Sequence, residues 1–100
     1  MKKNKMRPIH PGEILQEEFL VPLDMSANRL AEALRVPSNR ISAIVRGKRG
    51  VTADTALRLA RYFGSTPQFW TNLQATFDLR TAEEDGAGDI SSIEPMRRSA

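Results

Sequence analysis

Apolar residues in this chain recur at helical spacing, and the runs are punctuated by proline, glycine and hydroxyl residues. Pro11 suits a first helical position, and Glu13 favours the positive end of the helix macrodipole. Ile14, Leu15 and Phe19 form the apolar stripe of this first helix, which ends near Pro22. Ser26 is a cap for a second helix, with Met25 and Leu30 placed as a hydrophobic staple across it. Leu30, Ala31 and Leu34 carry that helix towards Pro37, because the residue before a proline avoids the helical region. Ser38 opens a short third helix, and Gly47 suits its exit. Thr52 caps a fourth, with Ala56, Leu57, Ala60 and Phe63 on one face and Gly64 at its end. Thr66 and Pro67 begin a fifth, which runs towards Glu84. No alternating run of β-branched residues exists, so no strand is expected and the fold class is all-α.

Residues 26–50 then read as two short helices joined by a tight turn, the arrangement that places a second helix in a DNA major groove. At about 100° per residue, Ile41, Ile44 and Val45 share one side of that second helix. Asn39, Ala43 and Arg46 point almost opposite, with Arg40 and Ser42 on the flanks. An amide suits adenine, a methyl suits thymine, and a guanidinium reads guanine or grips phosphate. Asn39 to Arg49 holds four positive charges and no negative one, Lys48 and Arg49 lying in the loop after the helix. A solvated basic face is the plain alternative for any one of these residues; their combination favours DNA.

Composition sharpens this picture in a few places. One hundred residues allow one domain with a marginal core, so dimerisation is an expected supplement. The net charge is +3, with ten Lys/Arg against five Asp/Glu in residues 1–50 and five against seven in residues 51–100. The absence of cysteine excludes disulfides and thiolate metal sites. His10, the only histidine, is expected to be structural, and neither metal nor cofactor is implied. Glu13, Glu17 and Glu18 have no metal-spaced histidine and no nucleophile–base pair beside them, so no catalytic residue is assigned. MKKNKM resembles the start of a signal peptide, but RPIHPGEI follows it instead of an apolar run. No stretch has the apolar length of a membrane span, and a cytoplasmic location is expected.

The fifth helix carries Phe69, Trp70, Leu73 and Phe77 as an aromatic stripe. Core packing is the reading favoured for Phe69 and Leu73. Trp70 and Phe77 extend past what short helices cover, so part of the stripe is expected to form a homodimer contact. A two-fold dimer would match a palindromic site. From Asp85 onward the glycines, serines and scattered charge suggest a flexible tail, on which Ile90 and Ile93 could dock elsewhere.

RPIHPGEILQEEFLVPLDMS and RISAIVRGKRGVTADTALRLARYFGSTPQFWTNLQATFDL resemble the HigA family of antitoxins, Xre-type helix-turn-helix proteins of bacterial toxin–antitoxin modules. The resemblance spans about residues 6–82. RGKRG stands where asparagine is commoner before the glycine, which adds a charge. The basic arm at 1–8 and the tail at 85–100 are read from the residues alone, and nothing is carried over to the tail. The resemblance implies a five-helix, lambda-repressor-like fold for the domain at 9–84. It implies base-reading roles for Ser38, Asn39, Arg40, Ala43 and Arg46. Backbone-gripping roles fall to Ser26, Asn28, Lys48 and Arg49, and flanking Ser42 is grouped with them. The implied partners are operator DNA, a second copy of the chain, and a small mRNA-cleaving ribonuclease toxin of the RelE type. A regulator without a toxin would share the same fold and DNA residues and stays open as an alternative. So does an interaction module that has lost DNA binding, whose expected sign would be acids or bulky hydrophobes on the recognition face.

Overall fold

The computed structural model describes residues 7–97, so most of the basic arm expected at 1–8 lies outside the described residues. The chain is all-helical, with α1 (Pro11–Ile14), α2 (Ala27–Leu34), α3 (Ser38–Val45), α4 (Ala53–Phe63) and α5 (Pro67–Ser91). α1 runs without a break into a π-helical segment, Leu15–Leu20. In π winding, residues five apart stack along the axis. Leu15 and Leu20, five apart, are thereby both buried, and Val21 N–H bonds Gln16 O at 2.9 Å in the same register.

The caps follow the side-chain chemistry. Ser26, Thr52 and Thr66 accept from the backbone N–H groups of Arg29, Thr55 and Phe69, each satisfying a donor that the first turn leaves open. His10 does the same for α1, its Nδ1 accepting from Gly12 N–H at 2.8 Å. Ser38 is the first residue inside α3 rather than its cap; the extended residue before it is Pro37, which has no side chain to bond. α3 ends in a Schellman motif, with Gly47 N–H on Ile44 O and Lys48 N–H on Ala43 O, and Gly47 holds φ +74°. α2 ends the same way with a non-glycine residue, Arg35, at φ 62°. Its neighbour Val36 bonds Ala31 O at 3.0 Å and packs on the core.

The core joins Leu15, Leu20, Leu30, Leu34, Ile41, Ile44, Leu59 and Trp70. Phe19 centres an aromatic cluster, 4.7 Å from Phe63 and 5.1 Å from Trp70 between ring centroids. Two expectations are corrected here. Leu57 is 58% exposed, because Leu59 takes the inward position on α4. Trp70 is fully buried within one subunit, packed against Phe19 of the π segment and Phe69 beside it on α5, and has no surface left for a partner. Among the described residues its indole N–H finds no hydrogen-bond partner.

α5 also continues beyond the expected stop near Glu84. It is helical to Ser91, with one non-helical residue at Gly86. Residues 87–97 are exposed, so this extension adds nothing to the core. No helix among the described residues is long and apolar enough to cross a membrane.

Candidate nucleic-acid interface

α2 and α3 pack closely across the turn at Arg35 to Pro37, and α3 buries Ile41 and Ile44. Its opposite side is left to solvent. Ser38, Asn39 and Arg46 are exposed there, Ala43 is half-buried, and Lys48 and Arg49 are exposed in the loop beyond. Ser26 and Asn28 are exposed at the start of α2. These expected residues are therefore all accessible, with Ser26 also engaged as a cap.

Two expected residues are arranged differently. Arg40 is not free on the recognition face: Nη1 donates to Asp54 Oδ2 at 2.8 Å, and the guanidinium lies beside α4. The physical reason is Asp54 in the first turn of α4, a carboxylate that also accepts from Arg58 Nε at 2.9 Å. Arg58 and Arg40 together hold the Asp54 carboxyl below its ordinary range. Ser42 is half-buried, and its hydroxyl turns back onto Asn39 O at 3.4 Å.

Sequence reasoning missed the supports behind this face. Arg58 Nη1 donates to Leu34 O at 2.9 Å, satisfying a carbonyl at the C-terminus of α2. Asp54 thus ties α3 to α4, and Arg58 ties α4 to α2. The Asp54–Arg58 spacing of four was visible in the sequence, but the Arg40–Asp54 pair needs the fold. Behind the loop, His10 sets its ring edge-on to Phe77 at 4.9 Å. Burial lowers the His10 pKa, against the opposing pull of Asp78, Arg49 and Glu13. Glu13 in turn is held below its ordinary range by a hydrogen bond from Arg7, Nη2 to Oε2 at 2.8 Å. α1 meets the end of α3 so closely that a Cβ on Gly12 would overlap the Ile44 carbonyl.

The expected dimer residues divide into two kinds. Trp70 belongs to the core, and Phe77 is half-buried against His10. Phe69, 40% exposed, and Leu73 line a shallow apolar groove with Ile9, Ile14 and Thr76.

The helix-turn-helix family matches residues 16–70, the span from the π segment to the start of α5. Virulence-associated protein I of Dichelobacter nodosus is 59% identical over 98 residues, covering 98% of this chain and 90% of that protein. Antitoxin HigA-1 of Vibrio cholerae is 45% identical over 97 residues, covering 96% of this chain and 90% of that protein. The antitoxin HigA of Pseudomonas aeruginosa, solved with the higBA promoter, superposes with a TM-score of 0.88. It is 49% identical, over 91% of this chain and all of that one. The chain belongs to the HigA family of antitoxins. HigA-family proteins are DNA-binding helix-turn-helix regulators, not enzymes. Within this HigA-family fold, α3 is the second helix of the helix-turn-helix, with Asn39 exposed on its outer side and Arg46, Lys48 and Arg49 exposed at and beyond its C-terminal end.

Proposed function

We propose that this HigA-family chain binds a palindromic operator as a homodimer, represses its own operon, and neutralises a RelE-like mRNA-cleaving toxin. The observation that carries the DNA part is the exposed, acid-free surface of Asn39 and Arg46 on α3 and of Lys48 and Arg49 in the loop after it, with the other side of α3 locked into the core. Ser38, Asn39, Ala43 and Arg46 read base edges in the major groove. Lys48 and Arg49 grip phosphate, as do Ser26, Asn28 and Ser42. The N-terminus of α2 adds its backbone N–H groups to that grip. Arg40 joins the base-reading set when DNA competes it away from Asp54.

The homodimer forms through the groove lined by Phe69 and Leu73, which leaves Trp70 to the core. Its two recognition helices then lie about one helical turn of DNA apart, roughly 34 Å. The toxin, basic because it binds mRNA, meets a less basic surface than the recognition face. Glu17 and Glu18 are exposed on the π segment, and Glu83 to Asp85 on α5; these are the proposed contacts.

A gel shift with the DNA upstream of this gene, with and without the neighbouring gene's product, tests the proposal. A retarded complex whose mobility changes with the second protein is expected. Binding of that DNA with no response to any neighbouring product would leave a regulator without a toxin. Arg46→Glu separates the surfaces: operator binding should be abolished while cells stay protected from the toxin. Loss of protection by a folded variant would refute separate surfaces.

A further inference from the structure

The basic loop after α3 is held from behind at two points, and neither anchor lies on the recognition helix. On one side, Val51 N–H donates to Gln74 Oε1 at 2.7 Å, a part-buried bond that reaches from the loop to α5. The loop passes so near that a Cβ on Gly50 would stand 3.0 Å from the same oxygen. Gln74 Nε2 donates to Asp78 Oδ1 at 3.0 Å, one turn further along α5. That second bond decides the orientation of the amide. A carboxylate only accepts, so the NH₂ must face Asp78 and the carbonyl oxygen must face Val51. On the other side, the His10 ring lies under the start of the loop, where a Cβ added at Gly47 would stand 3.9 Å from its Cγ, and it packs edge-on against Phe77 of α5.

Lys48 and Arg49 lie between these two anchors. Their side chains are exposed and long, so what fixes where their charges stand is the backbone beneath them. The Schellman bonds at Gly47 and Lys48 secure its start, and Val51, buried in the core, secures its end.

We infer that Gln74 and Asp78 are positioning residues for DNA binding: α5 sets the height of the phosphate-gripping loop through an oriented amide, with His10 as the opposing stay. The inference rests on the reading that Lys48 and Arg49 grip phosphate. It couples the helix proposed to join two subunits to the loop proposed to hold DNA, through side chains that touch neither a partner nor a base.

The test uses the full chain and three sets of variants. Gln74→Met keeps the length of the side chain and removes both bonds. It should weaken operator and random DNA about tenfold alike, lower the salt slope, and speed hydrogen exchange at the Val51 amide. Gln74→Glu should do the same by repelling Asp78. Gln74→Glu combined with Asp78→Asn exchanges the acid and the amide at unchanged net charge. It rebuilds the donor–acceptor order, so it should restore DNA affinity and Val51 protection to within about twofold of the parent. A merely structural role would move the melting temperature and DNA affinity together, whereas a positioning role lowers DNA affinity and Val51 protection in variants that melt at the parent's temperature.

The third set, Lys48→Ala and Arg49→Ala, keeps the two ideas apart. If these weaken DNA binding but Gln74→Met does not, the loop grips phosphate and the positioning inference is overturned. If neither lysine nor arginine matters, the phosphate reading itself has failed and the inference goes with it. Failure of the swap to rescue a folded protein also overturns the inference.

Discussion

Arg40 Nη1 stands 2.8 Å from Asp54 Oδ2, so the first turn of α4 restrains a guanidinium that the recognition helix would otherwise offer to DNA. The same carboxylate holds Arg58, and it is the only acid between Glu32 and Asp78. Asp54→Asn should therefore release positive charge next to the recognition face. Affinity for random DNA should rise severalfold at low salt, and the salt slope should steepen by about one per arginine released in each subunit. The pair is solvent-exposed on the Asp54 side, so the melting temperature should change little. An unchanged slope would mean that Arg40 never reaches DNA.

Base reading and phosphate gripping should separate cleanly. Asn39→Ala is expected to cost about 1–3 kcal/mol on the operator and little on random DNA. Lys48→Ala and Arg49→Ala should weaken both DNAs alike and lower the salt slope by about one per contact and subunit. Titrations on the two DNAs at several salt concentrations check this. Equal losses on both for Asn39→Ala would show that it grips the backbone only.

Adjacent aromatics on α5 should behave oppositely. Trp70→Ala empties a site with no exposed surface and should cost about 3–5 kcal/mol in denaturant unfolding. Phe69→Ala should leave the subunit folded and shift light scattering at micromolar concentration from twice the chain mass towards once. A dimer that survives loss of Phe69 would move the subunit contact off this groove.

Two glycines should respond with opposite signs to the same substitution. Gly12→Ala drives a Cβ into the backbone of α3, which cannot move without shifting the recognition helix, and about 3 kcal/mol or more should be lost. Gly88 in α5 has nothing within 4 Å of an added Cβ. Gly88→Ala should be neutral or stabilise by up to about 1 kcal/mol. Comparing denaturant midpoints of the two variants decides whether the α1–α3 contact is as tight as it looks.

His10 makes stability depend on pH. Its Nδ1 accepts from Gly12 N–H, which only the neutral ring can do, and burial lowers its pKa from 6.5. The unfolded chain then binds the proton more readily than the folded one. The stabilisation is present above 6.5 and is lost as pH falls through the lowered folded value. The opposing carboxylates Asp78 and Glu13 limit the size of the effect. Melting curves from pH 7.5 to 5 should show the loss, and His10→Asn should flatten it. An identical slope in that variant would assign the dependence to other groups.

The helices and their caps were legible because each rests on local chemistry: Ser26, Thr52 and Thr66 bond donors three residues on, and Gly47 and Gly64 take positive φ. The outward face of α3 was legible for the same reason, since periodicity alone separates Ile41 and Ile44 from Asn39 and Arg46. Leu20 was passed over because a period of 3.6 does not align it with Leu15; π winding does. Arg35 gave no sign of its left-handed turn, a conformation expected of glycine or asparagine. The Arg40–Asp54 pair and the burial of Trp70 were not legible because they come from α4 and the π segment, distant in sequence. Ile90 and the acids before it lack the apolar periodicity of the earlier helices, which is why helix beyond Glu84 was not anticipated.

The chain has a single tryptophan, and the fold seals it from water. Trp70 emission should therefore be blue-shifted in the native protein and move to the red as the core opens. The protein carries its own optical reporter of folding, needing no label. A variant that loses DNA binding with its native spectrum intact has lost a contact, whereas one whose spectrum shifts has lost the scaffold.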